Sequence, residues 1–117
     1  MEYLGISDQQ TLLNNLLNLT NSRTVSWSPY QGEHEFKTSG RKFDYYIASV
    51  DRDDFAPYAL EIWKTASEGN SETPLQTIKT AEFGELNEAL RDLYDAVKRR
   101  TLNIDGISRD ILNDFGD

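Results

Sequence analysis

The sequence predicts a two-layer α+β domain, an antiparallel meander of about four strands flanked by an N-terminal helix and by a long and a short C-terminal helix. Three observations predict it. Leucines recur at helical spacing near both ends of the chain, over 12–19 and 86–97. The stretch between them alternates short runs of aromatic and β-branched residues with turn residues. A length of 117 residues is enough for one modest hydrophobic core, so residues 1–117 are expected to form a single domain.

The first helix is expected from about residue 8 to 20. Ser7 followed by Gln10 has the spacing of a capping box, and Asp8 suits the positive end of a helix. Leu12, Leu13, Leu16, Leu17 and Leu19 form its apolar side, and Asn14, Asn15 and Asn18 its uncharged polar side. Asparagine is a weak helix former, so this helix depends on packing. A strand is then expected over Thr24–Trp27, a turn over Ser28–Gly32, and further strands over 33–38, 42–51, 58–65 and 75–80, with a loop over 68–74. The helix over 85–100 carries Leu86, Leu90, Leu93 and Val97 on one stripe. Its charges follow the macrodipole, with Glu85 and Glu88 at the start and Lys98, Arg99 and Arg100 at the end. Ile107, Ile111, Leu112 and Phe115 predict a short last helix closed by Gly116.

The alternation of a strand gives its two faces separate identities. With Asp51 opposite Tyr58, the central hairpin places Phe43, Tyr45, Ile47, Tyr58, Leu60 and Ile62 on one apolar face, the expected core. A one-residue slip would expose all of them. The other face then carries Asp44, Tyr46, Ala48, Val50, Ala59, Glu61 and Trp63, with Tyr46 opposite Trp63. Tyrosine and tryptophan are enriched at protein interfaces. Tyr46 and Trp63 are therefore the candidate anchors for a partner, unless a helix covers them. Asp44, Glu61, Asp53 and Asp54 are the candidate steering charges.

Composition removes several function classes. Cysteine is absent, so disulfides, thiolate metal sites and cysteine nucleophiles are excluded. The formal net charge of −8 opposes binding to nucleic acid or an anionic membrane. His34, the single histidine, lies between Glu33 and Glu35, whose side chains point away from it in an extended segment. It reads as a surface residue rather than a general base. Asp51, Asp53 and Asp54 cluster in a turn, but an EF-hand loop starting there has Ala56 and Ile62 where glycine and glutamate are required. No cofactor or metal is expected, and no catalytic set. The start, Met1-Glu2-Tyr3-Leu4, has no basic segment followed by an apolar stretch, so a cytoplasmic location is the expectation.

The element order and acidic balance resemble small bacterial or phage-encoded partner-binding proteins, including toxin-immunity proteins, secretion chaperones and anti-defence inhibitors. No motif singles out one of these groups. The expected function is a non-enzymatic, acidic protein-binding module acting as an inhibitor or adaptor, which occludes a basic surface of a partner protein such as a nucleic-acid enzyme. The alternatives are an assembly protein that forms a homodimer through the second sheet face, and a small enzyme using carboxylates with tyrosine or arginine.

Overall fold

The computed structural model describes residues 3–65, 73–82 and 84–115. The elements run α1 (Ile6–Asn21), β1 (Ser28–Pro29), β2 (Glu35–Ser39), β3 (Phe43–Ser49), β4 (Tyr58–Lys64), β5 (Gln76–Lys79), α2 (Asn87–Thr101) and α3 (Ile104–Leu112). All five strands pair antiparallel with their sequence neighbours, which makes a meander in the order β1-β2-β3-β4-β5. The two-layer α+β architecture expected from the sequence is the one observed, with five strands rather than about four.

Helix α1 begins two residues earlier than the capping-box reading required. Its N-cap is Gly5, and no side chain caps it. Gln9 turns back instead and donates to the Leu4 carbonyl at 2.8 Å. The buried stripe is Gln9, Leu13, Leu16 and Thr20, and Leu19 stays exposed. Thr20 takes the place expected for Leu19 because the 13–16–20 spacing keeps it on the inner side. Its hydroxyl donates to Leu16 O at 2.6 Å and accepts from Trp27 Nε1 at 2.9 Å.

That tryptophan bond also explains a misplaced strand. Thr24–Trp27 is not a strand, and the edge strand is Ser28–Pro29, which was expected to turn. Trp27 is committed to the core, 7% exposed, so the chain pairs only after it. Proline is tolerated in β1 because an edge strand has a side that needs no donor.

The inner face of the sheet and the helices α1 and α2 form one core. It gathers Phe36, Ile47, Tyr58, Leu60 and Ile78 from the strands with Leu13, Leu16, Leu90, Leu93, Tyr94 and Val97 from the helices. Helix α2 starts two residues later than expected. Asn87 donates to Ala81 O and accepts from Ala81 N, which ties its first turn to the end of β5. Helix α3 packs against α2 and buries none of its residues. Ile107, Ile111, Leu112 and Phe115 all stay exposed. Gly116 and most of the expected 68–74 loop lie outside the described residues. Among those described, no helix is long and apolar enough to cross a membrane.

Candidate partner-binding face

The β3–β4 hairpin keeps the expected faces but not the expected register. Ser49, not Asp51, lies opposite Tyr58, so each pairing moves by two residues. An even shift preserves parity, and Phe43, Tyr45, Ile47, Tyr58, Leu60 and Ile62 still share the inner side. Tyr46 is consequently opposite Glu61, and Trp63 opposite Asp44. The turn chemistry sets this register. Pro57 has no N–H and can only accept, which it does at the end of the ladder, where Val50 N donates to its carbonyl at 2.9 Å. Arg52 and Asp54 adopt left-handed backbone with φ of 60° and 67°. Asp53 fastens the turn by accepting from Phe55 N at 3.0 Å and Ser49 Oγ at 3.3 Å.

The outer face carries no helix among the described residues, since α1 and α2 lie on the inner side and α3 packs on α2. Tyr46 and Trp63 are diagonal neighbours there, with ring centroids 6.2 Å apart in an edge-on arrangement. Tyr30 extends the row, its centroid 5.1 Å from that of Tyr46. Tyr30, expected in a turn, instead donates its N–H to Glu35 O and continues the β1–β2 ladder. Three partly solvent-exposed aromatic rings thus run from the residue after β1 to β3 and β4.

Charges border this row. Trp63 Nε1 donates to Glu61 Oε1 at 3.0 Å, which fixes the indole. Lys37 Nζ lies 5.6 Å from the Tyr46 ring centre and 3.9 Å from the half-buried carboxylate of Asp44. Glu35 and Glu61 flank a depression of about 200 Å³ beside Tyr46, Ala48, Ala59 and Arg52. Burial, then the charge of Glu61, push Glu35 above its ordinary carboxylate value, although Arg52 pulls it down. Two carboxylates with incomplete compensation favour a cation arriving from outside. Glu35, Lys37 and Tyr30 were missing from the sequence-derived site. Their face was hidden because β1 and the exact start of β2 were misplaced.

The structure separates Asp53 and Asp54 from the aromatic row. They sit in the turn beyond the Ser49–Tyr58 pair, which is three residues along the hairpin from the Tyr46–Glu61 pair and five from the Asp44–Trp63 pair, spans of about 10 and about 17 Å at strand rise. Both are engaged internally. Asp54 Oδ1 accepts from His34 Nδ1 at 2.9 Å, Tyr94 Oη at 2.7 Å and Lys98 Nζ at 2.5 Å. Its backbone carbonyl accepts from Tyr58 Oη at 2.9 Å. Burial would raise the Asp54 carboxyl, but the hydrogen bonds from Lys98, Tyr94 and His34 and the charge of Lys98 outweigh it and hold the group at about 2. Burial, then the hydrogen bond to Asp54, push the Tyr94 phenol above its ordinary value. A carboxylate held ionised beside a phenol held protonated makes a clamp between the turn, the residue preceding β2, and α2, not a proton shuttle. His34 is half-buried in this clamp rather than a free surface residue. No sequence spacing announces the cluster, because His34, Asp54, Tyr58 and the Tyr94–Lys98 pair come from stretches far apart in the chain.

The chain matches no protein-family model, no curated protein and no solved structure.

Proposed function

We propose that this protein is a non-enzymatic binding module that docks a partner protein on the outer face of its sheet and occludes the partner's surface. One observation carries the reading: Tyr30, Tyr46 and Trp63 form a continuous, partly exposed aromatic row on a sheet face that no helix among the described residues covers. Rigid aromatics give large contact area at low entropic cost, which is why such residues dominate interface energetics. Glu35 and Glu61 beside the row favour a partner that presents lysine or arginine next to an apolar pocket. Asp44 is partly neutralised by Lys37 and contributes less to steering. Asp53 and Asp54 are left out of this surface because the turn consumes them.

The test is capture from the native host with the wild-type chain and with Tyr46→Ala/Trp63→Ala, at low and high salt. The variant is expected to lose partner affinity by at least about tenfold while melting cooperatively. Retained capture by a folded variant would remove the aromatic row from the mechanism. A moderate loss at high salt is expected from Glu35 and Glu61, because exposed charges are screened and ring contacts are not.

A second reading, self-association, is favoured by the exposed Ile107, Ile111, Leu112 and Phe115 of the C-terminal segment. Sedimentation velocity across a wide concentration range separates the two, since a concentration-independent monomer is incompatible with a homodimer.

A further inference from the structure

We propose that the cleft between the α1–β1 connection and the α2–α3 corner binds a phosphorylated small molecule. Although the chain has a formal net charge of −8, four of its seven arginines, Arg23, Arg99, Arg100 and Arg109, line this one cleft. They come from three places in the sequence. The Lys98-Arg99-Arg100 run alone reads as complementing a helix end, and only the fold adds Arg23 and Arg109 to it.

The four arginines differ in what they have left to offer. Arg99 donates to Asp95 at 3.2 Å and to Asp105 at 2.9 Å, and so neutralises Asp105, the carboxylate in the cleft wall. Arg100 spends one N–H on Asn21 O at 3.1 Å and keeps the rest of its fork. The guanidinium groups of Arg23 and Arg109 make no hydrogen bond or ion pair with the described residues. Three guanidinium groups with unused donors therefore face a common space. Guanidinium forks match the oxygens of a phosphate, and three positive charges suit a dianion better than a single carboxylate.

Two further features point the same way. Thr101 Oγ1 is buried in the wall of the cleft without a hydrogen-bond partner among the described residues. A hydroxyl in that state carries an uncompensated desolvation cost that an incoming oxyanion would remove. The first turn of α3 also opens here. Asn103 provides no side-chain cap, and the first helical bond runs from Ile107 N to Asn103 O, which leaves the preceding amides without intrahelical partners. The cleft volume of about 460 Å³ lies within the roughly 300–1,000 Å³ of small-molecule sites. That space exceeds what a bare phosphate fills. Val25 and the edge of Trp27 supply an apolar wall for an organic body attached to the phosphate. The cleft shares no residue with the aromatic row or the depression of the outer sheet face, so the two sites stand independently.

The test is a titration of the full chain, followed by amide and indole NMR shifts, with inorganic phosphate, ribose 5-phosphate and citrate at constant ionic strength. Saturable shifts at Thr101, Gly106, Arg109 and the Trp27 indole are expected, with ribose 5-phosphate binding more tightly than inorganic phosphate. Arg23→Ala/Arg109→Ala is expected to weaken binding about tenfold or more, with an unchanged melting temperature. Thr101→Val is expected to weaken it several-fold with no fall in melting temperature, because no existing hydrogen bond is lost. Shifts that never saturate, citrate binding as tightly as the phosphates, or an arginine variant that binds like wild type would each overturn the proposal.

Discussion

Phe36→Ala is expected to destabilise the protein by about 3–5 kcal/mol, the usual cost of emptying a buried aromatic site. Phe36, the second residue of β2, is fully buried. It faces Pro29 on one side and Ile47 on the other through the strand pairings. Its ring meets Tyr94 edge-on, with centroids 6.1 Å apart, so it also joins the sheet to α2. The void left by alanine borders two strands and a helix that other contacts hold in place, which limits collapse into it. For a domain with a total stability of about 5–15 kcal/mol, this loss is a large fraction. Urea unfolding should show it as a lower midpoint with an unchanged slope. Phe36→Leu keeps most of the volume and is expected to cost less than about 1.5 kcal/mol. Phe55→Ala provides the contrast: that ring is 70% exposed, so the change should stay within about 0.5 kcal/mol. A Phe36→Ala loss as small as that of Phe55→Ala would mean that the core is not built around β2.

Much of this arrangement was legible from periodicity. The inner face Phe43–Tyr45–Ile47 against Tyr58–Leu60–Ile62 survived a register error because an even shift leaves parity intact. The stripe Leu90–Leu93–Val97 is buried as its spacing requires. The failures share a physical cause. Local propensity reads Ser28-Pro29 as a turn and Thr24–Trp27 as a strand, but Trp27 reverses both by taking a core position and a bond to Thr20. Similarly, the aspartates of the turn read as free negative charge, whereas Asp53 and Asp54 are consumed by local and long-range hydrogen bonds. Tyr46 and Trp63 were found because alternation alone assigns them to one face. Tyr30 and Glu35 join them only through the β1–β2 pairing, and the arginine cleft only through packing of the chain ends. Both depend on contacts between segments distant in sequence, which a residue pattern does not contain.

The Asp54 clamp gives a second large effect and a pH signature. Asp54→Ala is expected to cost about 2–4 kcal/mol, because three donors lose their acceptor together. Two of those donors are poorly placed to recover through water: Tyr94 is 3% exposed, and the Lys98 side chain 16%. Alanine also fits the left-handed backbone at φ 67° less well than aspartate does. The melting temperature should fall by roughly 10 °C. Asp54→Asn separates these contributions. The amide keeps an acceptor and tolerates the left-handed conformation, so only the charge opposite Lys98 is lost and the cost should be about half. The acid limb follows from the carboxyl, held at about 2 against an ordinary 3.8. A depressed carboxylate stabilises the fold fully above about pH 4 and loses that stabilisation as pH falls through about 2. The side chain is 44% exposed, so solvent screening reduces the pH-dependent part to on the order of 1 kcal/mol. Urea midpoints of wild type and Asp54→Asn between pH 2 and 6 should therefore differ most at the upper end and converge toward the lower. A gap that stays constant across the range would show that Asp54 acts through backbone conformation alone, and that its charge does not tie the turn to α2.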